Sequence, residues 1–279
     1  MRLCAITNVY NEAFNLPIWL RYYGAQVGIA NCVVIDHGSD DGSTDDLRGA
    51  ARIDQRRSPL DDEARAVMIA DIVAEKLRDY DAVLYTDCDE FLVVDPDRHA
   101  NLVDFAKTID GPAATAIGLN IVQRESEEAP LDPTRPILAQ RAHALFAPAM
   151  CKTLLVRAPV RWSAGFHDAT AAPAFGGLYL FHLRWVDRAA VKRRMTITRS
   201  LPRVHDDHGL HQRMDDEQVD ARFAGFARRP VDHAFDLAGP LRDMTHGVTQ
   251  DGSGLYLMPR TVAPTRLMRL PERFAQSGL

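Results

Sequence analysis

The first ninety residues alternate short, uniformly apolar segments with longer amphipathic ones, and this alternation restricts the fold more than any other feature of the sequence. Leu3–Val9, Asn31–Ile35 and Asp81–Thr86 are runs of apolar and β-branched residues, typical of parallel strands that are buried on both faces. Such strands, separated by helices, predict an α/β fold with an open, mostly parallel sheet flanked by helices.

The spacing of apolar residues predicts the helices between these strands. After the first strand, apolar residues recur at three- and four-residue steps, in a helix that opens at Asn11 and Glu12 and stops near Gly28. HGSDDGSTDDL, residues 37–47, predicts a loop followed by a helix start, because Ser and Asp are good N-caps. A second helix is expected over residues 60–79, with one face formed by Val67, Ala70, Val73, Ala74 and Leu77.

The remaining elements are predicted from shorter patterns. Further strands are expected at Arg52–Ile53, Ala113–Val122, Met150–Arg157 and Leu178–Trp185, and further helices at Asn101–Ile109 and after Asp187. From Ser200 onward the periodicity is lost and prolines are frequent. Residues 200–279 are therefore expected to form a loop- and helix-rich C-terminal extension, packed on a domain of residues 1–199.

The composition fits a folded enzyme-sized chain and excludes several classes of function. Hydrophobic residues make up 46% of the chain, enough for a substantial core. The net charge of −5 gives no basic footprint for nucleic acid, and no apolar run reaches the roughly 18 residues that span a bilayer. None of the cysteines has CxxC spacing, which predicts reduced core thiols in a cytosolic protein; they are Cys4, Cys32, Cys88 and Cys151.

Three acids follow a buried strand in VLYTDCDEFLVV, residues 83–94. Asp87 and Asp89 are two residues apart at the strand end, and Glu90 comes directly after them. Buried carboxylates are costly unless they are paired or bind a metal, and hard oxygen ligands suit Mg²⁺ or Mn²⁺, which can in turn hold a diphosphate. An acidic surface turn is the alternative, and the apolar runs on both sides favour a binding site over it.

Polar residues also stand at the ends of the first two strands. Asn8 lies near the end of the first, and Asp36 follows the second, in VVID. In open α/β sheets, ligands bind outside the carboxyl ends of the strands, and an acid there can bind a ribose or a base. A helix-capping role for Asp36 is the equal alternative.

Taken together, these motifs resemble the nucleotide-sugar-binding half of a family 2 glycosyltransferase with the GT-A fold. The resemblance is carried by TNVYNE, VVIDHGSDDGSTD and VLYTDCDEFLVV, and the Asp-x-Asp-Glu-Phe ending resembles a particular subgroup. CKTLLVRAPV, GFHDAT and LYLFHLRWVDRAAVKRRM fit the later blocks of that subgroup, so that the resemblance covers roughly residues 3–195. It implies a Rossmann-like nucleotide-sugar half at about 1–95 and an acceptor half at about 96–199.

The resemblance also implies roles for individual residues. Asp36 would contact uracil or another base, and Asn8 and Glu12 would shape the same pocket, in which Gly38 belongs to the family's glycine-containing loop. Asp89, with Asp87, would bind the Mn²⁺ or Mg²⁺ that bridges the donor diphosphate. A late histidine often supplies a further metal contact, and Lys152 or Arg65 would neutralise phosphate charge; the candidate histidines are His167 and His182.

An inverting glycosyltransferase needs a carboxylate base for the acceptor hydroxyl. Asp168, beside His167, is the first candidate for this catalytic base, and Glu90 is the second. A further histidine cluster, His205, His208 and His211, invites a metal assignment, but a loop that is solvated or faces the acceptor is the preferred interpretation because Gly209 interrupts it.

The expected partners are a nucleotide-sugar donor, with UDP as the favoured nucleotide, and a glycan, lipid-linked or small-molecule acceptor, as in polysaccharide biosynthesis. The expected location is the cytoplasm or the inner face of a membrane, and a homo-oligomer is left open. The alternatives are a nucleotidyltransferase, disfavoured because residues 8–12 contain no glycine, a haloacid-dehalogenase-type phosphatase, disfavoured by Glu90-Phe91, and a non-catalytic carbohydrate-binding relative.

Overall fold

The structure, a computed structural model, describes residues 1–204, 212–260 and 264–279. Its strands are β1 Leu3–Val9, β2 Cys32–Asp36, β3 Ala51–Asp54, β4 Ala82–Tyr85, β5 Glu90–Val94, β6 Ala113–Val122, β7 His143–Phe146, β8 Thr153–Val156, β9 Phe175–Trp185, β10 Val231–Asp232, β11 Thr249–Gln250, β12 Tyr256–Leu257 and β13 Leu267–Arg269. Its α-helices are α1 Asn15–Val27, α2 Asp62–Lys76, α3 Leu102–Ala106, α4 Arg188–Arg199, α5 Asp216–Arg228 and α6 Ala238–His246.

The central sheet is mixed, and its strand order is β10-β13-β7-β6-β8-β4-β1-β2-β3. Strands β3, β2, β1 and β4 are joined by parallel pairs, whereas β4–β8, β8–β6, β6–β7 and β7–β13 are antiparallel. Strand β9 pairs with β5 and runs parallel to β6. The predicted α/β class is confirmed: an open central sheet with a Rossmann-like parallel half is flanked by helices.

The N-terminal strands form where their apolar runs predict them. Every residue of β2 and β4 is buried, as expected for strands covered on both faces. The apolar face predicted for the first helix is also buried in α1, although the helix begins at Asn15 rather than at Asn11 or Glu12. Asn11 has a φ of 52°, a left-handed conformation that cannot continue a helix.

The predicted face of the second helix is confirmed at Val73, which is buried, and at Ala70 and Leu77, which pack against the core, but it is wrong at Val67, which is 62% exposed. Ala66 and Ile69 are buried as well. This face packs against β4 and against residues 164–166, a contact with a distant segment that the local pattern does not contain. Asp61 caps the helix by accepting hydrogen bonds from the backbone N–H groups of Glu63 and Ala64.

The helix start predicted in residues 37–47 does not form. The acids of this loop instead accept backbone hydrogen bonds in tight turns: Asp41 from Ser43, and Asp46 from Arg48. The chain then enters β3 at Ala51.

Residues 200–279 contain more regular structure than their sequence predicts. Asp215 and Gln218 form a reciprocal capping box at the start of α5. Strand β13 pairs with β7 and with β10, so two strands of the C-terminal extension belong to the central sheet. The division into units at residue 199 is not tested by these pairings and stays a prediction. The three histidines His205, His208 and His211 lie outside the described residues.

Candidate functional site

The candidate site lies at the carboxyl edge of the parallel strands. Strands β1, β2 and β4 run in the same direction, and Val9 is the register partner of Asp36. The segment after β4 is fixed to this edge because the backbone N–H of Thr86 donates to Ile6 O, at 3.0 Å. The strand ends that carry Asn8, Asp36 and Asp87 are therefore neighbours.

A cavity of about 310 Å³ opens beside these strand ends. This volume is at the lower end of the range, about 300–1,000 Å³, that is usual for small-molecule sites. Its walls come from the loop after β1, the loop after β2, the start of α2, the segment after β4, the end of β9 and α4. Its acidic lining residues are Glu12, Asp41, Asp62, Asp87, Asp89 and Asp187. Its arginines are Arg57, Arg65, Arg184, Arg193 and Arg194.

Asp87 is held in place by two donors. The Arg65 guanidinium donates from Nη1 and the Tyr85 hydroxyl donates from its Oη, both to Asp87 Oδ1 at 2.9 Å. Burial raises the pKa of Asp87, but the cations of Arg65 and Lys152 outweigh it and leave the pKa below its usual range. The Asp87 side chain is 26% exposed, so the carboxylate is anchored and ionised and still reaches the solvent.

Asp89 lies against His182, one of the two histidines predicted to contact a metal. His182 Nε2 is 3.1 Å from Asp89 Oδ2, and the Leu183 N–H donates to Asp89 O at 2.8 Å. Burial raises the pKa of Asp89, and His182 is the strongest of the opposing effects that bring it well below its usual range. The Asp89 side chain is 30% exposed. The structure therefore places His182 in contact with Asp89, which lines the cavity, although His182 itself does not.

Glu90 and Lys152 form a buried ion pair, with Lys152 Nζ 2.6 Å from Glu90 Oε1. Burial raises the pKa of Glu90, and Lys152 opposes this effect. Neither residue lines the cavity. The two residues thus form a buried charge pair outside the cavity lining, and the roles of Glu90 as a base and of Lys152 at a phosphate stay predictions.

Asp36 is buried, and its carboxylate is satisfied by its own loop. It accepts from the Ser39 N–H at 2.9 Å and from the Thr44 hydroxyl at 2.8 Å, and it lies 2.7 Å from Arg52 Nη2. Burial raises its pKa, but the Ser39 hydrogen bonds lead the effects that lower it overall. Asp36 does not line the cavity, whereas its neighbour His37 does. These contacts hold the loop after β2, where the predicted helix start does not form, and base binding by Asp36 stays a prediction.

Asn8 and Gly38 shape the strand ends. Asn8 lines the cavity, and its side-chain amide donates to Ile35 O at 2.9 Å, which ties β1 to β2. Gly38 has a φ of 77°, and a Cβ built there would lie 3.3 Å from Arg57 Cβ. A glycine at this position lets the loop turn closely past Arg57.

Glu12 connects the loop after β1 to α4. Arg194 lies 2.7 Å from Glu12 Oε1 and donates from Nη1 to Tyr10 O at 2.9 Å and to Asn11 O at 3.0 Å. Burial raises the pKa of Glu12 to about 7, against the opposing effect of Arg194. Arg194 therefore clamps the first strand-end loop onto a helix that is far away in sequence.

His167 and Asp168 lie away from the cavity lining. His167 donates from Nδ1 to Ala149 O at 2.7 Å. Asp168 is 5% exposed, accepts from the Met258 N–H at 3.0 Å, and contacts Ser163 and Arg260. Asp168 thus holds the segment around β12, and its role as the catalytic base stays a prediction.

Four residues at or next to the cavity are not singled out by the sequence analysis. Arg57 stacks on the Tyr10 ring, with its guanidinium carbon 3.7 Å from the ring centroid, and its Nη2 is buried without a hydrogen bond. Arg184 and Arg194 face the site from β9 and α4, and Asn120 contacts His182. The arginines in RWVDRAAVKRRM are a sequence signal for the basic residues of the cavity, but the sequence does not show which of them turns inward.

The acidic pair fits a divalent cation that is shared with a phosphate ligand. Within residues 1–204, 212–260 and 264–279, no group of three His, Cys, Asp or Glu side chains is arranged to hold a metal unaided. Asp87 Oδ2 and Asp89 Oδ1 make no hydrogen bond to any described residue. Since Mg²⁺ is usually held by one or two carboxylates plus phosphates and water, this donor set suits it.

The comparisons with known proteins do not assign a family. No protein-family model matches the chain, and no curated protein matches it. Among solved structures, the chain is similar to mannose-1-phosphate geranyltransferase from Thermus thermophilus, with 12% identity and a TM-score of 0.33 over 81% of this chain and 65% of that chain. It thus spans slightly less than two thirds of that protein's length.

A second similar structure is CMP:2-keto-3-deoxy-manno-octonic acid synthetase complexed with CTP, with 10% identity and a TM-score of 0.30 over 80% of this chain and 86% of that chain. Similarities this weak do not decide between the functions considered above. The description of the site therefore rests on its own geometry.

Proposed function

We propose that the chain is a metal-dependent glycosyltransferase, which moves a sugar from a nucleotide-diphosphate sugar to an acceptor hydroxyl with inversion. UDP is the expected nucleotide. The observation that carries the proposal is the pair of partly exposed carboxylates, Asp87 and Asp89, beside an arginine-lined cavity at the carboxyl edge of parallel strands. In open α/β sheets this edge is where ligands bind.

The arginines that line the cavity support a phosphate-bearing ligand. Arg57 makes no ion pair with a described residue, and its buried Nη2 lacks an acceptor, which a phosphate or base oxygen would supply. Arg65 anchors Asp87 and also has a buried Nε without a hydrogen bond. Buried guanidinium nitrogens without acceptors are costly, so an anionic ligand would satisfy Arg57 Nη2 and Arg65 Nε.

The carboxylates would bind the cation, whereas the arginines would bind the phosphates. Asp87 and Asp89, with His182 beside Asp89, would hold the divalent cation, which when bound would neutralise charge on the diphosphate leaving group. Asp87 stays ionised because Arg65 lies next to it, and Asp89 because His182 does. Asp168 and Glu90 stay the candidates for the catalytic base, although both are buried in contacts outside the cavity lining.

Nucleotidyl transfer from a nucleoside triphosphate to a sugar phosphate is the second candidate. One observation favours it: five described arginines line the cavity, and guanidinium groups also pair with the phosphates of a triphosphate. The loop of residues 8–12 argues against it, because it has no glycine to bring the backbone close to phosphates. A non-catalytic carbohydrate-binding role is disfavoured by the open carboxylate pair.

The same proposal includes an acceptor that is a glycan, a lipid-linked molecule or a small molecule, and a place in polysaccharide biosynthesis. It also includes a location in the cytoplasm or at the inner face of a membrane, and a homo-oligomeric state. No helix of the described residues combines the length and the apolar character needed to cross a bilayer.

Calorimetric titration with UDP, GDP and CMP, with and without Mn²⁺, tests the nucleotide site. We expect one nucleotide to bind at least tenfold more tightly with Mn²⁺, and Asp89→Ala to remove this dependence on the metal. Asp71→Ala, at an exposed position of α2, is the matched control and should bind like the unmodified chain. Binding that ignores Mn²⁺ and survives Asp89→Ala would contradict the proposal.

Product analysis separates the two candidate reactions. The chain is incubated with Mn²⁺ and either nucleotide-diphosphate sugars or nucleoside triphosphates plus sugar 1-phosphates. Release of nucleoside diphosphate from the first mixture supports glycosyl transfer. Release of pyrophosphate from the second mixture alone supports nucleotidyl transfer instead.

A further inference from the structure

Asn120 is a polar residue in the otherwise mostly apolar strand β6, and it faces the imidazole of His182. Asn120 Oδ1 is 2.8 Å from His182 Nδ1, while Nε2 of the same ring is 3.1 Å from Asp89 Oδ2. His182 is 8% exposed, so it cannot replace either partner freely with water. The ring is therefore held between an amide and a carboxylate.

The strand register makes this arrangement rigid. Asn120 and His182 are direct register partners in the parallel β6–β9 pair, and His182 is the register partner of Glu90 in the antiparallel β9–β5 pair. The Leu183 N–H also donates to Asp89 O, which joins β9 to the segment that carries the acids. The distance between Asn120 and the imidazole is thus determined by backbone pairing on both sides of β9.

Carbonyl and carboxylate oxygens only accept hydrogen bonds, so without a metal Asn120 Oδ1 accepts from Nδ1–H of His182 and Asp89 Oδ2 accepts from Nε2–H. A cation at the acidic pair would take the place of the proton on Nε2, while Asn120 Oδ1 keeps the proton on Nδ1. Nε2, the nitrogen that a cation at Asp87 and Asp89 would need, is then turned toward Asp89. Groups that hold the second nitrogen of a metal-binding imidazole commonly change metal affinity 10- to 100-fold, or about 1.4–2.7 kcal/mol.

We propose that Asn120 is a positioning residue, which selects the tautomer and orientation of His182 so that Nε2 serves a divalent cation at Asp89. This inference rests on the proposed metal-dependent function. It assigns to Asn120 no contact with the substrate. A purely structural role would make Asn120 matter for folding and leave the metal affinity unchanged.

Mn²⁺ binding, followed by the electron paramagnetic resonance of free Mn²⁺ in the presence of UDP, tests the proposal. Asn120→Leu, which has a similar volume and no acceptor, should weaken Mn²⁺ binding about 10- to 100-fold. Asn120→Asp, which restores an acceptor for Nδ1–H, should stay within about threefold of the unmodified chain. Asn31→Leu is the control, because Asn31 bonds to Val27 O, far from the acids in sequence and on another strand connection.

A second readout needs no metal. Long-range ¹⁵N–¹H correlation spectra of the metal-free chain, with His182 assigned through His182→Gln, should show a proton on Nδ1 that is lost or exchanges faster in Asn120→Leu. A His182 ring without a proton on Nδ1 overturns the inference, and so does a folded Asn120→Leu variant with unchanged Mn²⁺ affinity. If the unmodified chain binds no Mn²⁺ at all, the metal-dependent function fails together with it.

Discussion

Each of the two strand-end carboxylates takes its charge partner from a distant element. Asp89 meets His182 of β9, and Asp87 meets Arg65 of α2. His167 and His182 are equal metal candidates in the sequence. Only His182 faces the acids, because the antiparallel β5–β9 register places it opposite Glu90.

His167 has a structural environment that makes a pH-dependent prediction. Its Nδ1 donates to Ala149 O, and burial, with the nearby Lys152 cation, lowers the pKa of His167 to about 4 from an ordinary 6.5. Between pH 6.5 and 4 the unfolded chain binds a proton that the folded chain does not. The stability contributed by the neutral ring is therefore complete above pH 6.5 and is lost as the pH falls.

His167→Asn keeps an N–H donor near the Nδ1 position and removes the titration. We expect the loss of unfolding free energy between pH 7 and pH 4.5 to be smaller by about 2–3 kcal/mol in this variant, since one pKa unit corresponds to about 1.4 kcal/mol. Urea denaturation at both pH values measures it. His246→Asn, at an exposed position, should change nothing, and an unaltered pH dependence in His167→Asn would show that the ring is not held neutral.

Among the helices and strands of the site, α4 is the element whose role is hardest to predict from its own sequence. Its helical pattern after Asp187 is predicted, but its role as a cavity wall depends on Arg194, which reaches Tyr10, Asn11 and Glu12. The sequence of a helix shows only which of its faces is apolar. Which strand-end loop that helix meets is decided by the path of β9, which delivers it to the carboxyl edge.

Arg194→Gln should destabilise the chain because it leaves Glu12 nearly buried without its cation. At pH 8, where Glu12 is ionised, we expect a loss of about 1–3 kcal/mol in the unfolding free energy, and a smaller loss when Glu12→Gln is present as well. Arg193→Gln is the matched control, since Arg193 is the exposed neighbour on the same helix. Strictly additive effects of the two site substitutions would show that Arg194 and Glu12 are not coupled.

In the molecule as a whole, the C-terminal extension is built into the core. Phe274 is fully buried and packs edge-on against Tyr179 and Phe181 of β9. Arg273 donates two hydrogen bonds to Asp95, at 2.8 and 2.9 Å. Because β9 also carries His182, these contacts connect the extension to the strand that completes the candidate site.

Phe274→Ala should therefore destabilise the entire fold. We expect a loss of about 3–5 kcal/mol in the free energy of unfolding, in a single transition seen by both far-ultraviolet circular dichroism and tryptophan fluorescence. Arg269→Ala, at an exposed position of β13, is the control and should cost less than about 1 kcal/mol. Two separate transitions, with only the first shifted by Phe274→Ala, would show instead that the extension unfolds independently.

The local elements, and the edge of the sheet that carries the chemistry, follow from the order of residues along the chain. Apolar runs specify β1, β2, β4 and β6, because a strand covered on both faces must be apolar throughout, and parallel strands bring their terminal polar residues to one edge. Short-range hydrogen bonds are harder to foresee: the acids of residues 37–47 form turns, although the same residue types also start helices.

Long-range packing, in contrast, selects the side chains that meet at that edge. The antiparallel pairs beyond β4, the strands β10 and β13, and the contacts of Asn120, Asp89 and Arg194 join residues that are dozens to nearly two hundred positions apart. Periodicity reports which face of an element is buried, but it carries no information on the partner that buries it. The acids at the end of β4 could be located from the chain alone, whereas the contact of His182, rather than His167, with Asp89 and that of Arg65 with Asp87 could not.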